Sequence, residues 1–294
     1  MRIDEIGEDE VVHQLLPFLL TQGIEIPAGE DDAAVYGDGQ GGYTVVSCDA
    51  SVEGIHFDLG WMSPEDAGWR ALALALGDLA AKGASPTYAL AMAAVPGAWE
   101  VEDLVGLYRG MAALGQLVKV GIVGGDTSAT AGPAVIALTV IGATPVRPLA
   151  RSEALPGWTV GVTGPLGGAA LALRERRVHR FEPLLAVGRR LNEAGLCCGD
   201  ISDGLLREMD KFLAYSGTGC EIRLSQLPVV PGVSAQAAAA SGEEAELIAV
   251  GPEDKVRSAG LTVVGVMTAD RTVKVLDDAD RQLDIEDHGF RHFA

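Results

Sequence analysis

The chain has 294 residues, 41 of them acidic against 22 basic, a formal charge of -19, and is 48% apolar and 21% charged. That length holds one large domain or two ordinary ones with a sizeable core, and the acidic balance argues against nucleic acid and anionic membrane surfaces as partners. No run is apolar for long enough to span a membrane and no secretory leader pattern opens the sequence, so a soluble cytoplasmic protein is expected.

Val11, Val12, Leu15, Leu16 and Leu19 recur at helical spacing and predict an amphipathic helix over 8–21. "EDD", Glu30 to Asp32, precedes a short strand, and "YTVVSCD", 43–49, reads as a second. Ser63 caps the next helix, Pro64 fills its first turn, Glu65 and Asp66 suit its positive end, and Gly83 stops it. Its body is apolar nearly all round, which predicts burial on most sides. A strand over 87–95, a helix over 102–119, a strand running into the glycine turn "VGGDT", and a strand over 134–143 follow.

The proline-bearing segment 144–157, with Pro145, Pro148 and Pro156, reads as a link between two halves, 1–146 and 147–294. Beyond it come the strand "WTVGVTG", helices after "GPLGG", near 183–194 and after "GDISDGL", a short alanine-rich helix at 234–242, and strands at 219–224, 244–250, 261–268 and 272–276. Helices and strands interleave in both halves, so the fold class is α/β with mixed layers. The four cysteines have neither metal nor disulfide spacing and read as reduced, mostly buried side chains.

The acids raise the functional question. Adjacent carboxylates are costly to bury without a cation, yet Asp31, Asp32, Asp49, Asp126, Asp200 and Asp203 all sit where elements end. Asp78 lies inside the apolar helix, where either Lys82 four residues on or a metal would balance it. Mg²⁺ suits oxygen donors that converge with substrate phosphates. No His/Cys cluster has zinc spacing, and no EF-hand, Walker loop or GxGxxG turn is present. "VGGDTSATAGP" and "VTGPLGG" are either phosphate-cradling turns or plain ones. Arg151 either meets a phosphate or holds the link. There is no GxSxG, and no cysteine neighbours a histidine.

The motifs "EDDAAV", "SCDASVEGIHF", "ALGDLAAKGASP", "GIVGGDTS", "ARSEALPGWTVGVTGPLGGAALAL", "GDISDGLLREM", "GEEAEL" and "GFRHF" follow one another along nearly the whole chain. In that order they resemble the thiamine-monophosphate kinase family of the aminoimidazole ribonucleotide synthetase-like superfamily. The resemblance implies a two-domain fold, a homodimer pairing through N-terminal strands, and Mg²⁺-assisted transfer of phosphate from ATP to thiamine monophosphate. It implies a metal shell of Asp32, Ser47, Cys48, Asp49, Asp78, Asp126, Asp200 and Asp203. Tyr108, Gly125, Asp126, Arg151 and Ser202 would contact ATP, and His56, Glu243 and Phe290 would face the acceptor, with Phe290 stacking on an aromatic ring. Glu30, Cys48, Leu184, Glu244, Ala245 and Arg291 depart from the family pattern, mostly toward the acceptor side. Two other readings are a relative acting on another small acceptor and a non-catalytic metal-binding module. The hydrogenase-maturation and selenophosphate-forming branches fit less well, because the chain ends Phe293-Ala294 and its first cysteine is Cys48.

Overall fold

The computed structural model describes residues 2–31 and 33–293, so the predicted ligand Asp32 lies outside the described residues. The first half runs α1 (Ile3–Leu15), β1 (Ala34–Gly37), β2 (Tyr43–Val52), α2 (Pro64–Ala81), β3 (Ser85–Pro96), α3 (Val101–Val118), β4 (Gly121–Thr130) and β5 (Val135–Thr144). Its five strands are ordered β1-β2-β5-β3-β4. Only the β3–β4 pair is parallel. α2 and α3 cover one face, burying Leu72, Leu76, Leu79, Leu107, Met111 and Leu114.

α2 starts as its capping residues predict. The Ser63 hydroxyl accepts from the Asp66 N–H at 3.1 Å, and Gly83 takes a left-handed φ of 62° just past its end. A Cβ on Gly68 would strike the Leu107 carbonyl, and one on Gly110 the Glu65 carbonyl. Paired glycines thus bring α2 and α3 into backbone contact.

Two elements differ from expectation. α1 begins and ends earlier than the apolar spacing suggests, a 3₁₀ turn with Pro17 follows, and none of α1 is buried. Polar contacts hold it instead: Arg207 donates to both Asp9 carboxylate oxygens at 2.9 and 2.6 Å. The "VGGDT" segment is no turn. It is the middle of β4, an edge strand with a register shift beside Val123. Glycine tolerates the bulge and the close approach: a Cβ on Gly125 would meet the Ala91 carbonyl.

The second half runs β6 (Thr159–Val162), α4 (Gly168–Arg174), α5 (Leu185–Glu193), β7 (Cys197–Asp200), α6 (Leu205–Ser216), β8 (Gly219–Arg223), α7 (Ala235–Ala239), β9 (Leu247–Gly251), α8 (Glu253–Ser258), β10 (Thr262–Thr268), β11 (Val273–Leu276) and β12 (Gln282–Leu283). These strands form a sheet ordered β12-β11-β8-β10-β6-β9-β7. α6 turns Leu205, Leu206, Met209 and Phe212 into the core beside it. β7, α8 and β12 carry too few patterned residues to be read from sequence. The whole is the mixed α/β architecture that the interleaving predicts.

The halves meet along α2. A Cβ on Gly188 of α5 would strike the Ala80 carbonyl, and the Asn192 side chain donates to the Val146 carbonyl at 3.1 Å. β7 also packs against α2, so the C-terminal end of that strand is delivered to the helix face that carries Asp78.

Candidate active site

A cavity of about 720 Å³ lies between the halves. Arg70, Leu74 and Asp78 line it from α2 at i, i+4 and i+8, one stripe of a helix. Ser47, Cys48 and Asp49 enter from β2, and Asp200, Ser202 and Asp203 from the end of β7 and the turn into α6. The Ser47 hydroxyl donates to the Asp78 carboxylate. Asp200 reaches across from the second half until its Oδ2 lies 2.8 Å from where a Cβ on Gly77 would stand. A Cβ at 77 would crowd that carboxylate. Asp203 accepts from Lys211 at 2.9 Å, and its backbone carbonyl accepts from the Phe290 N–H at 2.9 Å.

The other end of the cavity is chemically different. Arg70 is only 6% exposed; its guanidinium donates to the Glu243 carboxylate and the His179 carbonyl. Burial raises the Glu243 carboxyl above its ordinary value, and the Arg70 charge opposes that rise. Glu243 also sits at φ 55°, a left-handed conformation uncommon for a non-glycine residue. His56, Phe290 and His292 form an aromatic group, with Phe290 and His292 edge to face at 4.8 Å and His56 and Phe290 at 6.1 Å. Burial, reinforced by the His292 charge, lowers the His56 pKa. The Val52 N–H donates to His56 Nδ1 at 3.0 Å, which leaves the proton of the neutral ring on Nε2.

Other residues lie elsewhere. Asp31 is buried, and its carboxylate pairs with Lys82 and with the Arg151 guanidinium, while the Arg151 N–H donates to it at 3.0 Å. Glu208 takes the other side of Arg151 at 2.8 Å. Arg151 is fully buried in this ion-pair network and does not line the cavity. Lys82 likewise turns to Asp31, away from an intrahelical pair with Asp78.

Tyr108, Gly125 and Asp126 do not line the cavity. The Tyr108 hydroxyl donates to the Ala91 carbonyl at 3.3 Å. β4 stands three strands from β2, about 14 Å away at ordinary strand spacing, so Asp126 and Asp49 stand apart within one chain. Among the described residues no group of three His, Cys, Asp or Glu side chains is already assembled around a metal position. The "GPLGG" turn is not open to a phosphate, since Glu244 accepts from the Gly168 and Ala169 N–H groups at 3.0 and 3.1 Å. Cys197, Cys198 and Cys220 are buried, Cys48 is exposed, and all four are free thiols, in line with reduced and mostly buried cysteines.

Sequence reasoning passed over Arg70, His179 and His292. Arg70 was within reach, because it shares the helix stripe of Asp78; the other two are placed by loops that no pattern predicts.

Two mixed sheets meeting over an acidic cavity define an AIR synthase-like protein. Residues 30–144 match the AIR synthase related protein N-terminal domain. Over its length the chain is 32% identical to the thiamine-monophosphate kinase of Methanopyrus kandleri, covering 92% of both proteins. It is 34% identical to that of Bacillus subtilis, over 76% of this chain and 75% of the relative. The chain belongs to the thiamine-monophosphate kinase family. A solved structure described as AaThiL complexed with AMPPCP and TMP shares its fold, with a TM-score of 0.86, 24% identity and 99% of each chain covered.

Proposed function

We propose that the protein transfers the γ-phosphoryl group of ATP to thiamine monophosphate, forming thiamine diphosphate. The observation that carries this reading is that carboxylates from both halves, Asp49 and Asp78 with Asp200 and Asp203, line one cavity whose far end is aromatic. Family membership supports it, as does the complex of AaThiL with AMPPCP and TMP.

The all-oxygen donors Ser47, Asp49, Asp78, Asp200 and Asp203 fit Mg²⁺, which needs only one or two carboxylates beside substrate phosphates. Bound there, Mg²⁺ would offset repulsion between the two anionic substrates. Cys48 would contribute through its backbone carbonyl. The rest of the work is alignment, since phosphoryl transfer asks little covalent chemistry of the protein. The acceptor phosphate is already ionised near neutral pH, so no strong base is required.

Asp78 and Arg70 are eight residues apart on α2, about 12 Å at helical rise. That span orients the acceptor, with its phosphate at the Asp78 end and its rings at the Glu243, His56 and Phe290 end. Phe290 stacks on a ring, and Glu243 faces the cationic acceptor with its carboxylate held by Arg70. Ser202 borders the nucleotide side.

Several departures from the family pattern fall off the cavity wall. Glu30, Leu184, Glu244, Ala245 and Arg291 do not line it. Glu30 accepts from Ser152 at 3.0 Å and Arg291 donates to Asp210 at 3.4 Å. This favours thiamine monophosphate over another acceptor.

The functional unit we propose is a cytoplasmic homodimer in which residues 1–146 bind ATP and pair, and residues 147–294 close the site. No helix among the described residues is long and apolar enough to cross a membrane. The edge of β4 and the exposed side chains Tyr88, Leu90, Met92 and Val123 support pairing through the first sheet. Pairing there would give Gly125 and Asp126 a site at the interface with the nucleotide, near Tyr108.

The test is incubation with Mg²⁺, ATP and thiamine monophosphate, measuring ADP and thiamine diphosphate together. Equal amounts are expected. ADP release or ATP binding without thiamine diphosphate would favour a relative with another acceptor.

A further inference from the structure

Lys82 closes α2 and is 1% exposed, a lysine buried far beyond the ordinary. Its ammonium group pairs with the Asp31 carboxylate and donates to the Cys198 carbonyl at 2.7 Å. Asp31 belongs to the first half and Cys198 to β7 of the second, so one side chain ties the halves together.

The position of that tie bears on the chemistry. Cys198 lies two residues before Asp200 on β7, and alternate positions of a strand share a face. Lys82 lies four residues after Asp78 on α2, one turn along. The Lys82–Cys198 hydrogen bond therefore fixes where β7 crosses α2. Asp200 then arrives against Gly77, next to Asp78. The fit is close, because any side chain at 77 would meet the Asp200 carboxylate. Asp31, also held by Arg151 and its N–H, anchors the ammonium so that it points at the strand.

We infer that Lys82 is a positioning residue for phosphoryl transfer: it sets the register of β7 on α2 and so holds Asp200 and Asp78 at the separation a shared Mg²⁺ needs. The inference rests on the metal role proposed for those two carboxylates. Removing partners that orient metal ligands commonly weakens metal binding 10- to 100-fold.

The experiment is calorimetric titration of Mg²⁺ alone into the full-length protein and its Lys82→Met variant, with melting temperatures measured alongside. Lys82→Met is expected to weaken Mg²⁺ at least about 10-fold while still giving a cooperative melt. Loss of a nearby positive charge would by itself tighten a cation site, so the expected sign is opposite to the plain electrostatic one. Equal or tighter Mg²⁺ binding in the variant, whatever its melting temperature, overturns the inference alone. Wild type that takes no Mg²⁺ at millimolar concentration overturns the metal reading and this inference with it. If Lys82→Met does not fold, Lys82→Gln, one atom shorter and uncharged so that it does not tie Asp31 to the Cys198 carbonyl, is titrated instead. It is likewise expected to weaken Mg²⁺ at least about 10-fold, and unchanged affinity overturns the inference equally.

Discussion

The three adjacent acids show what single residues can and cannot reveal. A cation had to accompany any of them that was buried. For Asp31 the cations are Lys82 and Arg151, 51 and 120 residues away in sequence. Nothing in local spacing could name either one, whereas the need for some partner was legible. Glu246 gives a residue-scale prediction that involves no ligand. Burial raises its carboxyl above the ordinary value, against a lowering hydrogen bond from the Thr163 hydroxyl. The folded chain thus holds that proton more firmly than the unfolded chain. Its contribution favours folding at low pH and is lost as pH rises from the unfolded pKa through the folded one. Glu246→Gln is therefore expected to raise the melting temperature by about 1–3 °C at pH 7, with the difference vanishing below about pH 4. A lower melting temperature at pH 7 would contradict the assignment.

At the scale of elements, capping residues and a body apolar nearly all round located α2, because a helix buried on most sides must carry that pattern. What the sequence did not disclose is how closely α2 and α3 approach. Gly68 and Gly110 each face a backbone carbonyl of the other helix. Gly110→Ala is expected to cost about 1–3 kcal/mol by forcing them apart, measured by urea unfolding; an unchanged midpoint would show that the contact is slack. The middle of β4, read as a glycine turn ending a strand, was misread because glycines usually mark turns. Here they allow a bulged edge strand, where backbone pairing with β3 decides the conformation. α1 was placed about one and a half turns too late because apolar spacing predicts a buried face, and this one stays exposed.

At the scale of the whole molecule, the order of the motifs carries the family, and the interleaving of helices and strands carries the mixed α/β architecture. They could not say which acids meet. Convergence of Asp78 with Asp200 depends on how β7 crosses α2, a long-range contact with no local signature. The exposed apolar side chains beside β4 predict self-association. Leu90→Asp is expected to convert a dimer to a monomer in sedimentation velocity, and a wild type that sediments as a monomer would contradict the pairing. The central claim is that carboxylates from the two halves act as one unit. It is tested by the rate of thiamine diphosphate formation in Asp78→Asn, Asp200→Asn and the double variant, each checked for an unaltered fold. Residues acting as a unit give non-additive losses. Each single change is therefore expected to cost at least about 100-fold, and the double no more than about 10-fold beyond either. Turnover retained in either single variant, or losses that simply multiply, would contradict the account.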